Sequence, residues 1–260
     1  MKYLFTVIGN PVQHSQSPLI HAQFAKQTGL DVTYTKTEAP LDGFAQTIQQ
    51  LIAEGYHGAN VTVPFKEQAY KIANIKSEAV QIAKAANTLK FTPDGTITAE
   101  NTDGAGFVND IQNNLHYSLK NKIILILGAG GAARGILHPV LMQQPNKIVI
   151  ANRTHEKAVQ LANEFKQYGN INPLPFASLQ SEFDLIIDTT SFDAWPLPVD
   201  DKIIQSTAMI YDVKYADIPT PILQHAKTLG VKQLADGTGM LLEQAAKSFQ
   251  FCTDFNVIIE

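Results

Sequence analysis

The sequence has very little cysteine, since Cys252 is the single one among 260 residues. One cysteine cannot form an intrachain disulfide, and it excludes a cysteine-based metal site. His14 and His21 do not supply a metal site either, because no carboxylate or thiolate accompanies them at the spacing of metal ligands. We therefore expect no bound metal, and a reducing compartment, the cytoplasm, fits this composition best.

Long apolar runs and an excess of positive charge are also absent. The N-terminal segment MKYLFTVIGN has only a short apolar run, and no segment approaches the ~20 apolar residues that span a membrane. The formal net charge is -4, whereas nucleic-acid-binding domains usually carry a basic patch. We expect a soluble protein whose partners are small molecules or other proteins, and neither nucleic acid nor a membrane.

The sequence does contain an alternation of short β-branched runs and helical patterns, which is typical of parallel βαβ units. The predicted fold class is therefore α/β. In the first hundred residues this pattern predicts strands around 3–8, 32–36, 57–61 and 86–90, and helices after Pro18 and from about Leu41 and Phe65.

A second set of strands begins with KIILIL and continues through KIVIAN, FDLIIDTT and AMIYDV. Between the two sets, residues 99–111 predict a turn that leads into a helix, because Asn101, Asp103 and two glycines precede apolar positions. We place the domain junction there. The C-terminal segment DGTGMLLEQAAKSFQF predicts an amphipathic helix that either completes the second domain or returns to the first.

A glycine-rich turn follows the KIILIL strand and precedes a helical pattern. The turn reads G-x-G-x-x-A, in which glycines permit the tight turn and the approach of a pyrophosphate to the backbone. Such a motif is often only a tight turn, but the strand before it and the helix after it favour dinucleotide binding. The candidate cofactor-binding residues of this turn are Gly128, Ala129, Gly130, Gly131 and Ala132.

The end of the next strand indicates which dinucleotide binds. An NAD site usually has Asp or Glu there, whereas Arg and Lys neutralise the 2′-phosphate of NADP. Arg153 and Lys157 are either such ligands or ordinary surface charges at a helix start, and the cost of positive charge at that end favours the first interpretation. The candidate residues for NADP(H) are Asn152, Arg153, Thr154 and Lys157.

Several segments together resemble the shikimate dehydrogenase family over nearly the full length. They are GNPVQHSQSPLIH, GANVTVPFK, AANTL, NTDGAGF, GAGGAARG, NRT and DGTGMLLEQAA, in that order. The resemblance implies a substrate domain (residues 1–103), a Rossmann NADP-binding domain (104–238), a C-terminal helix (239–260) that packs back on the first domain, and an active site in the cleft.

The segment NVTVPFK ends a strand with polar side chains. Asn60 and Thr62 share one face, Pro64 ends the hydrogen-bond ladder, and Lys66 follows, which suits a polyhydroxylated ring acid. The resemblance implies that the ring hydroxyl groups are bound by Asn60, Thr62, Lys66, Asn87, Asp103 and Gln244. It also implies that Ser15, Ser17 and Tyr215 bind the carboxylate, and that Val213 and Gly237 contact the cofactor, Gly237 at its nicotinamide end.

The implied reaction is the reversible NADPH-dependent reduction of 3-dehydroshikimate to shikimate, a step of aromatic amino acid biosynthesis. Reducing a ketone builds negative charge on its oxygen. A positioned cation that also gives a proton lowers the barrier in two ways, because it stabilises this charge and then neutralises it. Lys66 fits that task, with Asp103 beside it. The alternatives are a quinate/shikimate dehydrogenase and a non-catalytic NADP-binding sensor of the same fold. A monomer or a homodimer is expected.

Several site residues also have local interpretations. Ser17 precedes Pro18 as a helix N-cap would, Lys66 could be solvated, Asp103 could be a turn residue, and Gln244 could lie on the surface. The chain also departs from the family pattern at DTTSFDAWPLP (188–198) and at Lys214, where an apolar residue is common.

Overall fold

The structure is a computed structural model that describes residues 2–180, 182–190 and 198–259. Residues 191–197, which make up most of the atypical segment, lie outside the described residues. Within the described ranges no helix has the length and apolar character needed to cross a membrane.

The chain forms two compact units. The first unit contains residues 1–106 and 242–260, and the second contains residues 107–241. The domain boundaries expected from the sequence, after residues 103 and 238, lie a few residues before these positions.

The first unit consists of a six-stranded sheet and its helices. Its strands are β1 (Lys2–Gly9), β2 (Asp31–Glu38), β3 (Gly58–Val61), β4 (Ile75–Lys76), β5 (Thr88–Phe91) and β6 (Ile97–Glu100). Its helices are α1 (Ser17–Thr28), α2 (Phe44–Ala53), α3 (Lys66–Ile72), α4 (Glu78–Ala83) and α5 (Asp103–Asn109), of which α5 runs on into the second unit.

The strand order of the first sheet is β2-β1-β3-β5-β6-β4. All neighbouring strands are parallel except β5, which runs antiparallel to both β3 and β6. The expectation of parallel units throughout is therefore wrong at β5. The reason is a short turn at residues 92–96, in which the Thr92 backbone donates to the Thr96 carbonyl group and Gly95 has φ +85°. Such a hairpin turn reverses the chain.

The second unit has a six-stranded sheet of its own. Its strands are β7 (Ile123–Leu127), β8 (Lys147–Ala151), β9 (Ile171–Pro173), β10 (Leu185–Asp188), β11 (Met209–Asp212) and β12 (Gln233–Ala235). Its helices are α6 (Gly131–Leu141), α7 (His155–Phe165), α8 (Asp201–Ser206), α9 (Pro221–Thr228) and α10 (Thr238–Thr253), together with a π-helical turn (Asp110–Asn114) and a 3-10 turn (Phe176–Ser178). Helix α10 belongs to the first unit from Leu242 onward.

The strand order of the second sheet is β12-β11-β10-β7-β8-β9, and every neighbouring pair is parallel. In chain order this is the 3-2-1-4-5-6 arrangement of the Rossmann fold, in which a dinucleotide binds where the order reverses. The reversal lies between β7 and β10. The predicted α/β class with a Rossmann-type second domain is confirmed.

Each unit has its own apolar core. In the first unit Phe44 and Phe65 are fully buried and stack with ring centroids 5.0 Å apart. In the second unit Leu125, Ile186 and Ile210, from three adjacent strands, are fully buried. The polar residues described below are thus held at the ends of strands that are fixed by packing.

Candidate active site

Lys66 and Asp103 form an ion pair in the first unit. Lys66 is the first residue of α3 and Asp103 the first of α5, and Lys66 Nζ lies 2.5 Å from Asp103 Oδ2. Their side chains are 20% and 8% exposed, so water screens the pair less than a surface ion pair. Lys66 is therefore not simply solvated, and Asp103 is more than a turn residue.

The Asn87 amide group connects this pair to the C-terminal helix. Asn87 Nδ2 lies 2.9 Å from Asp103 Oδ1, 2.9 Å from Thr102 Oγ1 and 3.2 Å from Gln244 Oε1. The Thr102 backbone N–H donates to Asn87 Oδ1 at 2.9 Å, which favours the orientation with the NH₂ group toward Asp103. Gln244 is half-buried in this network, so its interpretation as a plain surface residue is wrong.

The protein itself engages both ends of the Asn60 amide group. Tyr34 donates its hydroxyl proton to Asn60 Oδ1 at 2.6 Å, and Asn60 Nδ2 lies 2.7 Å from Ser248 Oγ. Thr62 follows β3 and is half-buried, and its hydroxyl group has no hydrogen-bond partner among the described residues. The polar end of NVTVPFK thus contains one amide held from two sides and one available hydroxyl group.

Ser15 and Ser17 lie next to each other at the start of α1. Ser15 Oγ accepts the Ser17 backbone N–H at 3.3 Å and lies 3.2 Å from Ser17 Oγ. The helix begins at Ser17 itself, and its cap residue, Gln16, makes no side-chain capping bond. The interpretation of Ser17 as the N-cap is therefore wrong, whereas Pro18 does occupy the first turn.

The glycine-rich turn in the second unit has the geometry that a phosphate requires. Gly128 has φ +105°, and a Cβ there would lie 2.5 Å from Thr189 Oγ1, so only glycine fits. At Gly130 and Gly131 a Cβ would meet no described atom within 4 Å. Helix α6 begins at Gly131, and the first N–H groups of a helix have no partner within the helix and can bind an anion. Residues 128–132 therefore fit a dinucleotide pyrophosphate.

The β8–α7 connection and the first turn of α7 carry positive charge, and β8 does not end in a carboxylate. Arg153 and Lys157 are exposed, and Asn152 Nδ2 donates to the Thr154 carbonyl oxygen at 2.8 Å. Thr154 precedes α7 and makes no side-chain capping bond. This arrangement suits the 2′-phosphate of NADP better than the ribose of NAD.

The connections after β11 and β12 meet at a close backbone contact. The Gly237 N–H donates to the Lys214 carbonyl oxygen at 2.9 Å, and a Cβ on Gly237 would lie 2.1 Å from the Val213 carbonyl oxygen. Lys214 Nζ lies 3.9 Å from the buried Asp212 carboxylate, so the atypical lysine belongs to an ion pair. Tyr215 is half-buried in the same connection.

Comparison with known proteins decides the family. Residues 7–89 match the family model described as shikimate dehydrogenase substrate binding domain, and residues 110–214 match shikimate / quinate 5-dehydrogenase. The shikimate dehydrogenase (NADP(+)) of Nitrosospira multiformis is 47% identical over 254 residues, which cover 96% of this chain and 91% of that protein. This chain belongs to the shikimate dehydrogenase family. The predicted family is thus confirmed.

Solved structures of shikimate dehydrogenases and related proteins share the fold. An Ael1 enzyme from Pseudomonas putida has a TM-score of 0.90 and 40% identity, covering 98% of this chain and 94% of that chain. Shikimate 5-dehydrogenase from Thermus thermophilus, in complex with NADP(H) and shikimate, has a TM-score of 0.87 and 28% identity, covering 98% and 94%.

Sequence reasoning missed residues that hold the site together. Contacts with the predicted substrate-binding residues Asn60 and Asn87 are made by Tyr34, Thr88, Thr102 and Ser248. Thr88 and Thr102 directly adjoin Asn87 and Asp103 in the sequence, which is the signal that could have found them. Tyr34 and Ser248 gave no local signal, because their contacts come from distant elements.

Proposed function

We propose that this protein is a shikimate dehydrogenase, which reversibly reduces the C3 ketone of 3-dehydroshikimate to shikimate with NADPH, in the biosynthesis of chorismate and the aromatic amino acids. The observation that carries the proposal is the Lys66–Asp103 ion pair, with the Asn87 amide on the same carboxylate. The names of the curated relatives support the activity.

All proposed substrate-binding residues except Tyr215 belong to the first unit. A polyhydroxylated ring acid needs many hydrogen-bond partners, and they are offered by Asn60, Thr62, Lys66, Asn87, Asp103 and Gln244. Ser15, Ser17 and Tyr215 bind the carboxylate, whose charge favours hydroxyl donors. The adjacency of the two serine hydroxyl groups supports this role, because both can donate to one carboxylate.

Lys66 is the proton donor of the reduction. The ammonium group stabilises the negative charge that develops on the ketone oxygen and then transfers a proton to it. Asp103 holds the ammonium group in place, and once shikimate has formed, the Asp103 carboxylate accepts a hydrogen bond from its C3 hydroxyl group. In the oxidation of shikimate, Lys66 takes the same proton back.

The second unit holds the cofactor, which supplies the hydride when bound. Residues 128–132 cradle the pyrophosphate, and Arg153 and Lys157 bind the 2′-phosphate with Asn152 and Thr154 beside them. Val213 and Gly237 provide a close-packed backbone for the nicotinamide end, where a larger residue than glycine would clash. A cytoplasmic location and a monomeric or dimeric state remain predictions.

Initial rates with four substrate pairs test the proposal. Shikimate and quinate are each oxidised with NADP and with NAD, and kcat/KM is compared. We expect the highest value for shikimate with NADP, because the curated relatives are named shikimate dehydrogenase (NADP(+)). A higher kcat/KM for quinate would change the assignment to a quinate/shikimate dehydrogenase. No turnover with any pair would favour the non-catalytic NADP-binding sensor.

A further inference from the structure

We propose that Tyr34 and Thr88 position the Asp103 carboxylate without touching the substrate themselves. They act through a chain of hydrogen bonds, here called the polar chain, whose members are Tyr34, Asn60, Thr88, Asn87 and Asp103. The inference rests on the proposed catalytic role of Asp103, and it adds residues that the reaction needs for orientation alone.

Every link of the polar chain donates in the same direction. The Tyr34 hydroxyl group donates to Asn60 Oδ1 at 2.6 Å, and Asn60 Nδ2 donates to Thr88 Oγ1 at 3.2 Å. The Thr88 hydroxyl group donates to Asn87 Oδ1 at 3.1 Å, and Asn87 Nδ2 donates to Asp103 Oδ1 at 2.9 Å. The chain therefore ends on the carboxylate oxygen that Lys66 does not contact.

The direction matters because an amide side chain can turn over and exchange its donor and acceptor ends. Thr88 has one hydroxyl proton, and donating it to Asn87 Oδ1 leaves the Asn87 NH₂ group to face Asp103. A reversed Asn87 would place its carbonyl oxygen against the carboxylate, acceptor against acceptor. The Thr102 backbone N–H also donates to Asn87 Oδ1, so Thr88 shares this task.

Burial makes the links effective. Thr88 is fully buried, and Asn87 and Asp103, each taken as a whole residue, are 3% and 5% exposed. Hydrogen bonds are stronger and unpaired polar atoms costlier in such surroundings. The Tyr34 ring stacks on His21 with centroids 4.3 Å apart, so its hydroxyl group has a fixed position. Asn60 Nδ2 also lies 2.7 Å from Ser248 Oγ and 3.3 Å from the Asn87 carbonyl oxygen.

Two substitutions at Thr88 separate orientation from packing. Thr88→Val keeps the shape and removes the hydroxyl group, whereas Thr88→Ser keeps the hydroxyl group. We expect Thr88→Val to lower kcat for shikimate oxidation by about tenfold. KM for NADP should stay within about twofold, because the hydrogen bonds lost, to Asn60 and Asn87, involve no proposed cofactor ligand. We expect Thr88→Ser to keep kcat within about threefold of the wild type.

Thr6→Val is the matched control. Thr6 is also fully buried in the same sheet, on β1, and its hydroxyl group lies 2.8 Å from Thr37 Oγ1. It should lower thermal stability as Thr88→Val does and leave kcat unchanged. If Thr88→Val and Thr88→Ser have the same kcat, or if Thr6→Val lowers kcat as much as Thr88→Val, the polar chain has no role in orientation.

Tyr34→Phe tests the far end of the polar chain. It should lower kcat about threefold, and the double variant with Thr88→Val should be no slower than Thr88→Val alone, because members of one chain are not additive. A double variant whose losses multiply would overturn the proposal. Failure of the proposed function itself would look different, since the wild type would then not oxidise shikimate and no variant could be ranked by kcat.

Discussion

Acidification should destabilise the first unit through His21. This histidine is 3% exposed in α1, and neither of its ring nitrogens has a hydrogen-bond partner among the described residues. Burial lowers its pKa from 6.5 to about 3. The folded protein therefore keeps His21 neutral at a pH where the unfolded chain protonates it.

The sign and size follow from proton linkage. Because the folded pKa is below the unfolded one, the unfolded chain binds the extra proton, and stability is lost as pH falls below 6.5 toward 3. Values of 6.5 and about 3 give a loss of about 2 kcal/mol in unfolding free energy between pH 7 and pH 5. The full loss is reached only below the folded pKa.

Asp212 opposes this effect in the second unit. Burial, with a smaller contribution from the charge of Asp188, raises the pKa of Asp212 from 3.8 to about 6. The folded protein takes up that proton first on acidification, which returns about 1 kcal/mol between pH 7 and pH 5. The stability curve of the wild type alone therefore cannot isolate His21.

The matched variant His21→Phe isolates the contribution of His21 to the pH dependence of stability. A phenyl ring keeps the aromatic contacts with Tyr34, Phe24 and Phe249 and has no nitrogen to desolvate. Urea unfolding followed by circular dichroism, at pH 7 and pH 5, gives the difference in unfolding free energy between the variant and the wild type. We expect the variant to gain about 2 kcal/mol of unfolding free energy relative to the wild type when the pH is lowered from 7 to 5. An unchanged difference would refute the reasoning, as would an NMR titration of His21 near its ordinary pKa.

Two further predictions concern the cofactor and the thiol. In steady-state assays Arg153→Ala should raise KM for NADP about 10- to 100-fold, as expected for a lost charge-assisted hydrogen bond, and hardly change KM for NAD. Lys157→Ala should raise KM for NADP less than Arg153→Ala does. Equal weakening of both cofactors would assign Arg153 to the fold or to adenine. Burial raises the pKa of the Cys252 thiol to about 12, so a thiol reagent at pH 8 should react with it only after denaturant is added. Rapid reaction with the native protein would show that the region around Cys252 opens without denaturant.

The glycine-rich turn was predictable because its signal is local. A strand, a fixed spacing of glycines and a helix occur within one short segment, and the structure forms β7, the turn and α6 there. The strand at 86–90 was predicted, but the reversed direction of β5 was not, although PDG at residues 93–95 is a turn signal, because strand direction depends on pairing with β3 and β6. The two-residue strand β4 is too short to show a periodic pattern.

The candidate site was predictable in its composition and not in its contacts. The resemblance to a family pointed to Lys66, Asn87 and Asp103, but the pairing of their atoms depends on how β5 and α5 pack. Tyr34 and Thr88 look like ordinary strand residues, since tyrosine and threonine both favour strands. Their hydrogen bonds emerge only from the folded arrangement, and the roles of all these residues stay predictions until kinetics test them.

The kinetics of Lys66→Met test the central claim most directly. Methionine keeps much of the apolar side chain and removes the ammonium group, so the measurement is kcat for shikimate oxidation beside the Kd for NADPH. We predict a kcat at least about 100-fold lower with an unchanged Kd, as expected for the loss of the group that exchanges the proton with the C3 oxygen. An unchanged kcat in a folded variant would contradict the account.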